Sequence, residues 1–294
     1  MNIISCGQYT RSTLESFFKL VEKIERRPKR FSHKLKGKRI SLMFHEPSTR
    51  TRSSFVCAIE EVGARMISDD TPHWEEPLVD AIRSIQQRRD AIVIRHKSEK
   101  AFEDALKVAK IPIISGGVGP GEHPTQGLLD IYTMRKSKGN LDGIKVAVLG
   151  DLRYGRTVHS MLTLLSLYEN ITVYALSKEE FPLPQKYIDL LNKRNVKYIV
   201  CDRVNDIPKD VDVLYHTRIQ TERFEEDYGK EKFIINKQVL DNFSKETILL
   251  HPLPRDIEIS KDVDSDPRAL FFEQANNGVP IRMALLLQVF GYYL

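Results

Sequence analysis

A chain of 294 residues with 41% hydrophobic and 29% charged side chains is long enough for two domains, each with its own core, and suits a water-facing surface. A net charge of +5 is mild for this length, and the basic stretch at 26–39 reads as a solvated loop before a strand, so no nucleic-acid partner is expected. Cys6, Cys57 and Cys201 are far apart and odd in number, which argues against a disulfide framework or a zinc site and fits a reducing compartment. The N-terminus does not read as a signal peptide and no apolar run approaches membrane-spanning length, so the expectation is a cytoplasmic protein with no membrane partner.

The first helix is expected over residues 12–26, opened by Ser12 and Glu15 in capping-box spacing, with Leu14, Phe17, Phe18, Val21 and Ile24 on one face. Apolar strands follow at 40–44, 91–94 and 111–114, with helical periodicity between them at Phe55, Ala58, Ile59 and Val62. The polar segment KSKGNLDG at 136–143 then separates off a second series of strands at 146–149, 171–175, 198–200, 211–214 and 248–250. Short, nearly unbroken apolar strands between helices indicate parallel sheets covered on both faces. The expected fold class is therefore α/β, with two doubly wound parallel-sheet domains. A last helix, rich in leucine and tyrosine, runs from about residue 280 to 294 and must be packed against something.

Ligands of open α/β sheets bind beyond the carboxyl ends of the strands. The loop FHEPSTRTRSSF at 44–55 follows a strand and runs into a helix. Hydroxyls there commonly cap a helix, but capping does not explain Arg50 and Arg52 in a first turn, where cations oppose the helix dipole. An anion would use the backbone N–H groups, the hydroxyls and a guanidinium together, a phosphate site without a Walker sequence. Gly117, Gly119 and Gly121 only approximate a dinucleotide fingerprint. Arg95 and His96 end another strand, where an arginine is often just a solvated cap. His123-Pro124-Thr125-Gln126 follows glycines that let backbone approach a ligand, and its His123 and Gln126 offer a donor and an acceptor. In HPLPR at 251–255, two prolines fix the backbone and leave carbonyl oxygens free to accept, as a rigid shelf would.

PSTRTR, HPTQ, GDLRYGRTVHS at 150–160, TRIQ at 217–220 and HPLPR stand in the order and approximate spacing of one family. From about Leu14 to its C-terminal helix the chain resembles the catalytic chains of the aspartate carbamoyltransferase family. The resemblance implies a carbamoyl-phosphate domain over residues 1–133, joined by the returning C-terminal helix 277–294, and an aspartate domain over 134–276. It implies transfer of a carbamoyl group from carbamoyl phosphate to L-aspartate without cofactor or metal. Ser48, Thr49, Arg50 and Thr51 would hold the phosphate, and Thr51, Arg95 and His123 would donate to the carbamoyl oxygen. Gln126 and the carbonyl of Pro254 would accept from the carbamoyl nitrogen, and the carbonyl of Leu253 would orient the amine. Arg156, Arg218 and Gln220 would bind the two carboxylates of aspartate, for which paired guanidiniums are natural receptors. The ornithine relatives carry Cys where Pro252 stands, and their Ser-Met-Gly loop has no counterpart here.

The resemblance also implies a homo-oligomer with shared active sites, for which the family precedent is a trimer, and leaves a regulatory chain or a dihydroorotase partner open. One stretch departs from the pattern. A loop from the neighbouring subunit brings a serine and a lysine to the phosphate in this family, yet residues 64–89 are shorter and contain no lysine. His73 and Trp74 occupy the expected place. Either they serve in another way, or the acceptor differs, or the chain is a weak or inactive paralogue that binds carbamoyl phosphate as an assembly partner.

Overall fold

A computed structural model describes residues 1–69, 76–119, 121–219 and 233–293. Helix α1 (Arg11–Arg26) buries Leu14, Phe17, Phe18, Val21 and Ile24, as the spacing predicts. Its cap is not Ser12 with Glu15. The run TRST offers an earlier frame, and Thr10 and Thr13 each accept from the other's backbone N–H. Glu15 instead pairs with Arg11 at 3.4 Å.

The first sheet is parallel, in the order β2-β1-β3-β4, from β1 (Arg39–Phe44), β2 (Arg65–Ser68), β3 (Ala91–His96) and β4 (Ile113–Val118). Strand β2 was not expected, because an edge strand reading Arg-Met-Ile-Ser is only partly buried and lacks an apolar run. Strand β4 runs beyond the expected 111–114 and takes in Gly116 and Gly117; they are buried, and Gly117 adopts φ +106°. The covering helices are α2 (Thr49–Glu61), α3 (Leu78–Ile85), α4 (Glu99–Val108) and α5 (Pro124–Lys138). The chain leaves β1 toward β2 and then crosses to β3, so the switch in winding direction falls between β1 and β3. Their carboxyl ends lie side by side, with Phe44 in register with Arg95.

The second sheet is also parallel, in the order β7-β6-β5-β8-β9. Its strands are β5 (Lys145–Leu149), β6 (Thr172–Leu176), β7 (Lys197–Cys201), β8 (Val213–His216) and β9 (Ile248–Leu250). Helices α6 (Arg156–Leu165), α7 (Gln185–Lys193), α8 (Lys237–Leu240) and α9 (Phe271–Asn276) accompany it. Leu149, Leu176, Leu214, Leu249 and Phe271 are buried in one core cluster. Here the winding reverses between β5 and β8, whose ends pair Leu149 with His216.

Helix α10 (Gly278–Val289) is buried nearly all round and packs on α1 and α2, which explains why a leucine-rich terminal helix is not amphipathic. It stops at Val289, short of the expected 294, because Gly291 takes φ +85° just past Phe290. Tyr292 and Tyr293 follow outside the helix and are exposed. The chain divides into Met1–Leu128 with Asn277–Leu294, and Leu129–Asn276, a division that runs through α5 where the sequence reading places it after residue 133.

Candidate functional site

In the first unit the β1–α2 loop opens at the winding switch, where ligands of such sheets bind. Ser48 is the N-cap of α2 in extended conformation, yet its side chain makes no capping hydrogen bond, so capping does not account for that hydroxyl. Thr49 and Arg50 in the first turn are exposed. Arg52 behaves differently: its Nη2 donates to Ser68 Oγ at 3.0 Å, which ties α2 to the edge strand. Thr51 is buried, and its Oγ1 lies 3.4 Å from Nε2 of His123, a residue 72 positions later in the chain. Arg95, at the end of β3, donates to the Gly116 carbonyl at 3.2 Å and sits 3.6 Å from Glu46. It is therefore anchored on both sides and is more than a solvated cap. His96 accepts from the Ser98 amide at 3.0 Å and serves the start of α4. His123 and Gln126 are both buried at the start of α5, so His123 is not the surface residue that a lone loop histidine usually is.

In the second unit the switch crevice lies beyond β5 and β8. Gly150 has φ +110°, and a Cβ there would stand 2.0 Å from the Thr217 carbonyl oxygen. Only glycine lets these two strand ends approach so closely. The loop that follows is held by Asp151, which accepts from the Tyr154 amide at 2.9 Å, and by His159 Nε2, 2.9 Å from the Leu152 carbonyl. Arg156 then opens α6 and is buried, while Arg218, just after β8, is half-buried. Gly150, Thr217, Arg218, Phe233, Asp256 and Glu258 line one cavity.

The HPLPR loop is built from within. Leu253 adopts φ +54°, unusual for a residue with a side chain, and its amide donates to Nδ1 of His251 at 2.8 Å. Nδ1 therefore carries a lone pair, and the ring proton sits on Nε2, 2.9 Å from Glu258 Oε1. Burial raises the Glu258 pKa, but the His251 hydrogen bond and backbone donors outweigh it and hold the carboxyl down to about 2. The His251 amide donates to Gln274 Oε1 at 2.8 Å, Gln274 donates to Asp130 at 2.7 Å, and Tyr215 donates to the same carboxylate at 2.8 Å. Arg255 does not join a ligand shelf: it donates to Asp264 Oδ2 at 2.6 Å and lies over the Phe271 ring. Sequence reasoning gave no role to Glu258, Gln274 or Asp130. The only signal for Asp130 and Gln274 was polarity at positions that the helix patterns bury, and Glu258 stands in a turn whose sequence carries none. Gln220, His73 and Trp74 lie outside the described residues.

Residues 1–136 match the family described as aspartate/ornithine carbamoyltransferase, carbamoyl-P binding domain, and residues 142–289 match its Asp/Orn binding domain. The chain belongs to the aspartate/ornithine carbamoyltransferase family. Within that family it is 40% identical to the aspartate carbamoyltransferase catalytic subunit of Clostridium acetobutylicum, over 99% of this chain and 98% of that one. The catalytic subunit of Methanocaldococcus jannaschii aspartate transcarbamoylase superimposes with a TM-score of 0.90 at 39% identity, covering 98% of this chain and 97% of that one. Aspartate transcarbamoylase from Trypanosoma cruzi, crystallised with carbamoyl phosphate and aspartate, gives a TM-score of 0.91 at 34% identity, covering 97% and 95%.

Proposed function

We propose that the chain transfers the carbamoyl group of carbamoyl phosphate to the amine of L-aspartate, releasing N-carbamoyl-L-aspartate and phosphate, an early step of de novo pyrimidine biosynthesis. The observation that carries this reading is the contact of Thr51 with His123, which brings the STRT and HPTQ motifs to 3.4 Å beside a helix start. As the amine nitrogen attacks the carbamoyl carbon, charge builds on the carbonyl oxygen, and Thr51, Arg95 and His123 donate to it. The bond to the bridging phosphate oxygen then breaks. Ser48, Thr49, Arg50 and the N–H groups of the first turn of α2 take the leaving phosphate, which accepts the amine proton.

Gln126, with the carbonyls of Leu253 and Pro254, supplies acceptors for the N–H groups of the carbamoyl group and the amine. Arg156 takes the α-carboxylate, and Arg218 with Gln220 the side-chain carboxylate. The assembly is a cytoplasmic homotrimer in which His73 and Trp74 complete a neighbouring subunit's phosphate end. Three free cysteines agree with a reducing compartment, and among the described residues no helix is long and apolar enough to cross a membrane.

Steady-state formation of carbamoyl aspartate by the purified chain, with ornithine as control acceptor, tests the activity. Carbamoyl phosphate binding without turnover would make the chain a non-catalytic paralogue, the reading that the lysine-free stretch 64–89 favours. Emission from Trp74, the single tryptophan, should change when carbamoyl phosphate is added, and an unchanged spectrum would remove this loop from the site.

A further inference from the structure

Behind His123 runs a chain of contacts in which only Thr125 belongs to a motif, all of it within the first unit. Arg282, on α10, is 2% exposed, and its guanidinium lies 5.2 Å from the centre of the Phe55 ring on α2. Its Nη1 donates to the Gly278 carbonyl at 3.0 Å, and its Nη2 to Thr125 Oγ1 at 3.4 Å. Thr125 is fully buried, and its Oγ1 lies 3.4 Å from Nδ1 of His123. The opposite ring nitrogen, Nε2, is the one that faces Thr51.

The direction of each proton follows from what these groups can give and take. Arginine has donors only, so the Thr125 oxygen accepts from Arg282. The hydroxyl has one proton of its own, and among the described residues Nδ1 of His123 is the acceptor it meets. Were Nδ1 protonated, the hydroxyl would accept twice and leave its own proton buried without a partner, which folded proteins avoid. The same count disfavours an imidazolium, which also puts a proton on Nδ1. The arrangement that gives the Thr125 hydroxyl both a donor and an acceptor runs from Arg282 to Thr125 to Nδ1 and leaves the ring proton on Nε2.

We propose that Arg282 and Thr125 are positioning residues that hold His123 as the neutral Nε2–H tautomer, so that the ring presents a donor to the reacting carbonyl. The proposal rests on the reading of His123 as a donor to the carbamoyl oxygen. An arginine suits this role because it stays charged at every working pH, and Gly278 and Phe55 fix its orientation. The same guanidinium packs over Phe55 of α2, the helix that opens the phosphate site, so one side chain of α10 touches both elements that meet in the Thr51–His123 contact.

The test compares Thr125→Val, which removes the hydroxyl at nearly constant shape, with Thr125→Ser, which keeps it. Nitrogen-15 NMR of histidine-labelled free protein reads the tautomer without any substrate. Wild type and Thr125→Ser should show His123 protonated at Nε2, whereas Thr125→Val should show a mixture or the Nδ1–H form. In turnover, Thr125→Val should lose roughly 10- to 100-fold in kcat with little change in KM, less than the about 10⁴-fold seen when a histidine-orienting carboxylate is removed. Arg282→Gln should shift the tautomer in the same direction, and should it fail to fold, the threonine pair still decides. A wild-type His123 protonated at Nδ1, or a Thr125→Val variant with the wild-type tautomer, overturns the proposal. A chain that lacks carbamoyl transfer but shows the expected tautomers would instead count against the assigned reaction alone.

Discussion

In the first unit the candidate groups stand at the starts of α2 and α5 and at the end of β3, and the buried charge behind His123 is a cation, Arg282. In the second unit Arg218 lines the cavity at the switch crevice, Arg156 is buried at the start of α6, and the carboxylates that hold the shelf from behind are the buried Asp130 and Glu258. The first arrangement suits a ligand that brings its own charge. Backbone N–H groups and hydroxyls wrap a phosphate, and a fixed cation keeps the nearby imidazole oriented. The second suits a ligand read by shape, because planar guanidiniums grip carboxylates bidentately. Buried anions there serve as acceptors that pull backbone and imidazole donors into place. The sign of the buried charge thus follows the groups it must orient. A donor imidazole needs its far nitrogen to accept, and a shelf of carbonyls needs its amides tied back.

The sharpest way to break this contrast is Arg50→Ala. The side chain is exposed, so the fold should survive. Loss of one preorganised donor at a developing charge costs about 10²–10³-fold in kcat, and a cation at the leaving phosphate should cost at least that much. Near-normal turnover in a folded variant, measured beside its circular dichroism, would remove the phosphate role from this helix start. Arg218→Ala should have the next largest effect. Truncating a desolvated bidentate partner commonly costs about 2–5 kcal/mol, and here the loss should fall on kcat/KM for aspartate rather than on carbamoyl phosphate binding. Equal losses for both substrates would show that the second unit does not act as a separate acceptor site.

Much of this contrast was legible because the reacting groups sit in short contiguous runs. STRT, HPTQ and HPLPR each place their residues by local chain geometry at a strand end, and strand ends were readable from the apolar runs. The supporting residues were not readable, because their meaning arises only on packing. Arg282 looks like a stray cation in GVPIRMALLLQV until α10 is seen buried nearly all round. Glu258 lies in a loop whose sequence gives no hint that His251 returns to it. The cap of α1 was misplaced because TRSTLE holds two overlapping frames of hydroxyl and acceptor, and backbone conformation alone chooses Thr10. Strand β4 was read too short because glycines in a buried strand that needs close backbone approach look like a turn in composition.

Glu258→Gln tests whether the shelf depends on a buried anion rather than on a hydrogen bond alone. The amide can still accept from His251 but carries no charge. Wild-type Glu258 drops from 4.5 to about 2 on folding, so its ionised form stabilises the fold. A shift of that size corresponds to up to about 3 kcal/mol, fully present above pH 4.5 and lost as pH falls through 2. Urea unfolding should therefore show a stability gap between variant and wild type that is wide at pH 7 and narrows in acid. A gap of constant width would mean that geometry, and not charge, holds the loop.

The smallest expected effect concerns His216, at the end of β8 in the second unit. Burial lowers the pKa of His216 below 6.5 against the pull of the carbonyls of Phe233 and Thr217, which its ring nitrogens face at 2.5 and 3.1 Å. A neutral ring has one N–H to give, and the shorter contact assigns it to Phe233. Between its folded pKa and 6.5 the unfolded chain binds the extra proton, so wild-type stability falls as pH drops through that window. His216→Met removes the donor as well as the titration. Above the window the variant should be less stable by about 1 kcal/mol, the net worth of one hydrogen bond. Within the window the wild type weakens and the variant does not, so the two stability profiles should converge or cross. Urea unfolding of both proteins at pH 8 and at pH 5.5 measures this directly. Parallel profiles would show that His216 keeps an ordinary pKa, and that its two carbonyl neighbours offset the full cost of burying the cation.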